Sequence, residues 1–252
     1  MTRIAVDIGN SRVKWGRCGI DSIEAVVSLA SDDDSAWTRQ LEAWRLDANT
    51  TWIIGGVQPK TRDRFVAWLA TKGHRADILR DREQLPITLA VDHPETVGLD
   101  RLFNAIAAAH RGGSALIVDA GSAVTVDFVD AAGVFQGGAI LPGLNLMARA
   151  LHEHTAQLPQ VEIVDFPVPP AKSTVMALRT GIAHAVVGGI NLLLAEMSAA
   201  RPTPTVYLTG GDAAFLASRI APKPIVWPEM TLEGIRMSSQ PRRFPEKEPS
   251  TE

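Results

Sequence analysis

The chain has 252 residues, with 25 Lys and Arg against 28 Asp and Glu and a formal net charge of −3. That length holds one large or two small domains with a substantial buried core, and the near-neutral balance gives no global basic field for nucleic acid. The single cysteine, Cys18, excludes an internal disulfide and a multi-cysteine zinc site.

In chain order, residues 3–8 and 12–17 read as two strands joined by a tight turn at Gly9-Asn10. Residues 22–29 offer a third strand. Asp32–Asp34 supply N-caps for a helix through Trp37, Leu41 and Trp44. Thr51–Val57 is a short β-like run closing on Gly-Gly. After Pro59, residues 60–72 place Phe65, Trp68 and Leu69 at helical spacing. The tryptophans at 37, 44 and 68 fit a core stripe. Ala76–Leu79 is a weaker strand pattern. Gly98–His110 reads as a helix with Leu102, Ala105, Ile106 and Ala109 on one face.

The second half restarts the same order. Leu116–Asp119, Val124–Val129 and Val134–Leu141 form a three-strand meander with a turn at Asp130–Gly133. Leu144–His154 reads as a helix and the proline-rich stretch Pro159–Pro170 as an irregular loop. Thr174–Ala199 reads as a long helix, Val206–Thr209 as a strand, and Gly210-Gly211-Asp212 leads into a short helix through Leu216. Met230–Met237 reads as a last helix. From Ser238 the composition cannot bury a core and predicts a disordered tail.

The apolar stretch Ile182–Ala195 is interrupted by His184, Gly188, Gly189 and Asn191, which reads as too short to span a bilayer. The N-terminus enters a strand pattern without a signal peptide. A soluble cytoplasmic protein is expected, with neither membrane nor nucleic acid as partner. His184, among apolar neighbours, is expected to be buried, and the pairs Arg80/Arg82 and Arg242/Arg243 to be solvated. The long helix has Ile182, Val186, Val187, Ile190, Leu193 and Leu194 on too many sides for a surface helix. Either the fold or a second subunit covers it.

Asp7-Ile8-Gly9-Asn10 aligns with Asp119-Ala120-Gly121-Ser122, and each opens a segment of three strands followed by a helix. This is the pattern of a duplicated α/β domain with two halves facing a shared cleft. The halves are placed at residues 1–112 and 113–237, with the tail at 238–252. An Asp-x-Gly turn puts a carboxylate beside a backbone whose amides form a concave donor site for phosphate. Lys14 adds a point charge, and Asp7 can hold Mg²⁺ directly or through water. The competing reading is an ordinary hairpin in which Asp and Asn only shape the turn. Neither Gly-x-Gly-x-x-Gly nor Gly-x4-Gly-Lys-(Ser/Thr) occurs, so Rossmann and P-loop sites are unsupported. In Val206-Tyr-Leu-Thr-Gly-Gly-Asp212 a strand runs into two glycines, a turn against which a base or ribose can lie.

Together the two Asp-x-Gly hairpins and the Leu-Thr-Gly-Gly turn resemble the phosphate and adenosine motifs of the acetate and sugar kinase/Hsp70/actin superfamily. Within it, Val97-Gly-Leu-Asp-Arg-Leu-Phe-Asn-Ala105, Gly137-Gly-Ala-Ile-Leu-Pro-Gly143, Thr155-Ala-Gln-Leu-Pro159 and Ser173-Thr-Val-Met-Ala177 with Gly181 resemble type III pantothenate kinase. The match spans roughly residues 4–216 in order and spacing. It implies duplicated actin-like (ribonuclease H-like) domains with a shared nucleotide cleft, ATP-dependent phosphorylation of pantothenate as the first step of coenzyme A synthesis, and a homodimer. By the same resemblance, Asp7, Ile8, Gly9, Asn10, Ser11, Arg12, Val13 and Lys14 would hold the ATP phosphates, with Asp7 on Mg²⁺, and Ser122 would contact ATP. Gly98, Leu99, Asp100, Arg101 and Thr174 would hold pantothenate, with Asp100 as general base. Asp119 would bind a monovalent cation, K⁺ or NH₄⁺.

Read from the residues alone, Asp100 is either the base or a helix-cap carboxylate paired with Arg101. Arg101 either anchors the substrate carboxylate or steadies Asp100, and Asp119 is either cation ligand or turn former. The sequence departs from the family pattern at Val91, where many relatives carry Tyr in the pantothenate pocket, and at Ser11 and Ser122, where many carry Thr. Two other readings compete: a kinase of the superfamily acting on a sugar or acetate, and a nucleotide-responsive regulator without turnover.

Overall fold

The computed structural model describes residues 2–9, 12–56, 58–199 and 203–239. The chain divides into two compact units. Unit 1 takes the chain as far as His110 and again from Glu229; unit 2 is Arg111–Pro228.

Unit 1 is built on β1 (Arg3–Ile8), β2 (Arg12–Cys18), β3 (Ile23–Ala30), β4 (Thr51–Gly56) and β5 (Ala76–Ile78), in the sheet order β3-β2-β1-β4-β5. Ile4, Ala5 and Val6 are all buried, so the central strand is covered on both faces. Helix α1 (Asp34–Ala43) starts where Asp33 accepts a bond from the Ala36 amide at 2.8 Å. That carboxylate satisfies one of the orphan donors of the first turn. Helix α2 (Pro59–Thr71) has Pro at its first position, where a missing N–H does no harm. The two helices cover an aromatic core. The Trp15 ring lies 5.1 Å from Trp52, 5.7 Å from Phe65 and 6.0 Å from Trp68. Such pairs contribute about 0.5–1.5 kcal/mol each beyond their buried area. Trp37 and Trp68 are buried as expected, whereas Trp44 is half-buried with the Arg17 guanidinium 5.1 Å from its ring.

The unit continues with a two-residue strand β6 (Thr88–Leu89) and helix α3 (Leu99–Arg111). Unit 2 holds β7 (Ala115–Ala120), β8 (Ala123–Val129), β9 (Val134–Pro142), α4 (Leu144–Glu153), α5 (Thr174–Ser198), β10 (Thr205–Thr209), α6 (Ala213–Leu216) and β11 (Ile225–Val226). Its strands run in the order β9-β8-β7-β10-β11. The two orders superimpose term by term. In each unit the first three strands pair antiparallel and the last two add in parallel to the first. The duplication read from two short motifs therefore extends through the parallel strands. One glycine marks it in each copy. Gly56 ends β4 beside Ile8, and Gly210 follows β10 beside Ala120; both have positive φ (+128° and +95°), and a Cβ on either would strike that neighbour's backbone.

Three expectations are corrected. Residues 230–237 do not belong to the C-terminal half. Helix α7 (Met230–Ser238) packs on β1, β2 and β4 of unit 1 and buries Met230, Leu232 and Ile235. Gly234 lies so near the Phe103 carbonyl of α3 that no Cβ would fit. The Glu233–Arg236 ion pair, 2.7 Å and almost wholly buried, ties α7 to the β2–β3 turn: Glu233 accepts from the Ile23 amide and Arg236 donates to the Asp21 carbonyl. Ser238, where the tail was expected to begin, is the buried last residue of this helix; residues 240–252, with Arg242/Arg243, lie outside the described residues. Second, His184 is exposed, with Nδ1 2.8 Å from the Thr180 carbonyl. Third, α5 runs 25 residues and is long and apolar enough, by length and composition alone, to cross a membrane, because the helix continues through the polar breaks. Its stripe of Ile182, Val186, Ile190 and Leu194, four residues apart, is instead buried in the core of unit 2 with Leu116, Val118 and Leu208.

Candidate active site

In the first hairpin Asp7 pairs directly with Lys14 across β1 and β2, so both side chains stand on the same face of the sheet. Ile8 and Val13 form the next pair and are buried on the other face. They offer a ligand only their backbone. The Gly9 amide donates to the Arg12 carbonyl at 3.0 Å and closes the turn, while Asn10 and Ser11 lie outside the described residues. The Arg12 guanidinium is held along β3, with Nε 3.0 Å from the Ser28 hydroxyl and a terminal nitrogen 2.7 Å from the Ser28 carbonyl.

The second hairpin repeats the geometry with different chemistry. Asp119 pairs with Thr125, which therefore occupies the place of Lys14. The Gly121 amide donates to the Ala123 carbonyl at 3.1 Å, and Ser122 is exposed at the tip of the turn. Thr125 Oγ1 is buried and has no hydrogen-bond partner among the described residues. The next residue on that face of β8 is Asp127, itself buried. Thr125 Oγ1, in register with Asp119, is a hard oxygen donor of the kind a cation takes. Among the described residues no group of three or more His, Cys, Asp and Glu is placed to hold a metal ion.

Helix α3 presents the third group. Leu99 is buried, and Gly98, Asp100 and Arg101 are half-buried. Asp100 Oδ1 accepts from the Arg101 amide at 2.9 Å, so the carboxylate does serve the first turn of the helix. Three residues on, the Phe103 ring packs over Gly55, the β4 residue in register with Asp7. The helix is thus seated beside the first hairpin, within unit 1. Thr174 is the exposed first residue of α5, behind the Ser173 cap, and borders an apolar groove of about 280 Å³ between α4 and α5 with Met147, Leu151 and Leu178. Beyond Gly210, the Asp212 amide donates to the Ala120 carbonyl at 2.9 Å, and burial raises the Asp212 carboxyl pKa.

A profile of the type III pantothenate kinase family matches residues 3–196. The chain belongs to the type III pantothenate kinase family. It is 33% identical over 251 residues to a type III pantothenate kinase of Synechococcus sp. (strain JA-3-3Ab), covering 97% of this chain and 95% of the other. It is 37% identical over 153 residues to one of Listeria innocua serovar 6a, covering 60% and 59%. Among solved structures, a conserved Campylobacter jejuni protein assigned to the Baf family of transcriptional activators aligns with a TM-score of 0.59 at 23% identity, over 94% of this chain and 96% of the other. The ethanolamine utilization protein EutJ of Carboxydothermus hydrogenoformans aligns at 0.54 and 16%, over 95% and 90%. These structural likenesses show the fold, the duplicated actin-like α/β architecture. Family membership makes the chain a kinase, and kinases use ATP with a divalent metal. Asp7, a half-buried carboxylate opposite Lys14, fits such a metal.

Three groups escaped the sequence reading. Thr125 and Asp127 looked like ordinary strand residues, and the register with Asp119 was the missing signal. Arg82 was expected to be solvated, and it is bonded instead.

Proposed function

We propose that the chain transfers the γ-phosphoryl group of ATP to the primary hydroxyl of pantothenate, giving 4′-phosphopantothenate and ADP, the first step of coenzyme A synthesis. The observation that carries this reading is a family match running through Gly98-Leu99-Asp100-Arg101, on a helix seated beside the Asp7–Lys14 hairpin. Lys14 and the turn amides orient the phosphates. Asp100 accepts the hydroxyl proton as the pantothenate oxygen bonds to the γ-phosphorus and the bond to the ADP oxygen breaks. Arg101 offers a planar fork to the pantothenate carboxylate, and Thr174 contacts the substrate. Mg²⁺, held by Asp7, would neutralise phosphate charge. A monovalent cation, K⁺ or NH₄⁺, would be held by Asp119 and Thr125 in the place that Lys14 fills in the other hairpin.

The same reading makes the protein a cytoplasmic homodimer. Leu192 is exposed on α5 and Gly188, one turn before it on the same face, has open space above it, a surface suited to a two-fold partner helix. A monomer mass by light scattering at micromolar concentration would remove the dimer. The activity is tested by ADP release from ATP with pantothenate, with sugars and with no acceptor. Release that depends on pantothenate is expected. Release that depends on a sugar, or on no acceptor at all, would overturn the assignment.

A further inference from the structure

The segment between β5 and α3 walls a cavity of about 680 Å³, with Arg82, Ile87, Leu89 and Pro94 in its lining. Arg82 is half-buried there, and its Nε donates to the Val97 carbonyl at 2.7 Å, fifteen residues along the chain. A cationic donor at that distance makes a strong, charge-assisted bond. Its acceptor sits at a sensitive place. Val97 is buried and immediately precedes Gly98. The Gly98 carbonyl accepts the first helical bond of α3, from the Leu102 amide at 3.3 Å. A Cβ on Gly98 would come within 2.5 Å of Asp100 Oδ1, so the Asp100 carboxylate lies folded over that glycine. The orientation of the Val97–Gly98 peptide therefore sets both the first turn of α3 and the carboxylate resting on it. Arg80, two residues before Arg82, is exposed and lies 3.8 Å from Asp63.

We propose that Arg82 is a positioning residue for phosphoryl transfer: by gripping the Val97 carbonyl it fixes the Gly98–Arg101 end of α3 and so aims Asp100. This rests on the kinase reading above. Arg82 does not touch the substrate; it acts through the backbone.

Two substitutions separate the bond from the bulk. In Arg82→Gln the side-chain nitrogen stands the same number of bonds from the backbone as Arg Nε, so the donor is kept and the charge removed. In Arg82→Met a methyl group stands there and no donor remains. The expected result for Arg82→Met is a fall of about ten-fold in kcat/KM for pantothenate, with KM for ATP within about two-fold of wild type. Hydrogen exchange at the Leu102 amide should quicken by about ten-fold in the same variant, while α5 amides, which check the fold, stay unchanged. Arg82→Gln should restore both readouts to within about three-fold, and Arg80→Ala should match wild type. Equal behaviour of the Gln and Met variants, or an Arg80→Ala variant as impaired as Arg82→Met, would overturn the proposal. If wild type itself does not phosphorylate pantothenate, the kinase reading fails, and the exchange rates still decide whether Arg82 sets the turn.

Discussion

Replacing Thr125 by Val tests whether the second hairpin holds a cation. Thr125 Oγ1 is buried opposite Asp119 without a hydrogen-bond partner among the described residues. An unpaired buried hydroxyl costs about 1–3 kcal/mol. Valine keeps the branched shape that β8 accommodates and discards the hydroxyl. In Tris buffer without K⁺ or NH₄⁺, Thr125→Val should therefore be more stable than wild type by about 1–2 kcal/mol. For a chain of this size each kcal/mol moves the midpoint by about 2–4 °C. Added K⁺ reverses the order. At a hundred times its dissociation constant a bound ion stabilises the native state by about 2.7 kcal/mol, and the variant, one oxygen donor short, gains less. The assay is thermal unfolding in Na⁺, K⁺ and NH₄⁺ at constant ionic strength. A variant less stable than wild type by more than about 1 kcal/mol without K⁺ would mean that the hydroxyl already has a partner. Equal gains from K⁺ in both proteins would remove Thr125 from the cation site.

Asp100→Asn keeps an oxygen that can accept from the Arg101 amide and loses the base, so turnover should fall about 10²–10⁴-fold with pantothenate binding retained; near wild-type turnover would leave Asp100 as a helix cap. Glu233→Ala strands the buried Arg236 guanidinium and should cost about 3–5 kcal/mol in urea unfolding, and a loss under about 1 kcal/mol would show that α7 is held by apolar packing instead. Burial lowers the His74 pKa against a smaller upward pull from Asp47, and its Nδ1 has no hydrogen-bond partner among the described residues. The native ring is therefore neutral, and its contribution to stability is complete above about pH 6.5 and lost as pH falls from there toward the depressed native value. His74→Phe, which keeps a ring against Trp52, should flatten the stability slope between about pH 5 and 7; an unchanged slope would place the titration elsewhere.

Most elements of both units were legible because their signals are local. Apolar runs mark β1 and β7, alternation marks β2 and β8, helical spacing marks α2 and α3, and Asp33 marks a helix start. What escaped depends on partners distant in sequence. Helix α7 follows unit 2 in the chain but belongs to unit 1, as tertiary contacts such as Gly234 against Phe103 and Glu233 against Ile23 reveal. The two-residue strands β6 and β11 are too short to carry a period. His184 sits among apolar residues in sequence, yet a helix turns its neighbours inward and leaves it outside. The candidate site followed the same rule. Asp7, Lys14, Asp100 and Asp119 stand in recognisable motifs, whereas Thr125 needs the strand register and Arg82 needs the tertiary contact with Val97.

A duplicated fold begins with two equivalent sites, and here the differences between them are as informative as the likeness. Asp7 and Asp119 occupy one position in one topology, so what separates their roles is what stands beside each. Across the antiparallel pair, Lys14 gives the first copy a fixed positive charge, and Thr125 gives the second an oxygen without a hydrogen-bond partner among the described residues. A tethered ammonium cannot be exchanged; a hydroxyl and carboxylates can take up an ion and release it. Across the parallel pair the copies differ again. Asp7 is flanked by Gly55, and the missing side chain is the space into which the Phe103 ring of α3 fits. Asp119 is flanked instead by Thr209, which carries a buried side chain where the first copy has a glycine. In the first copy the glycine gives room for a helix beside the aspartate, and that helix carries Asp100. On the kinase reading, the glycine at 55 is what makes unit 1 the acceptor half, and the threonine at 125 is where a bound cation would stand in unit 2 for the Lys14 of unit 1.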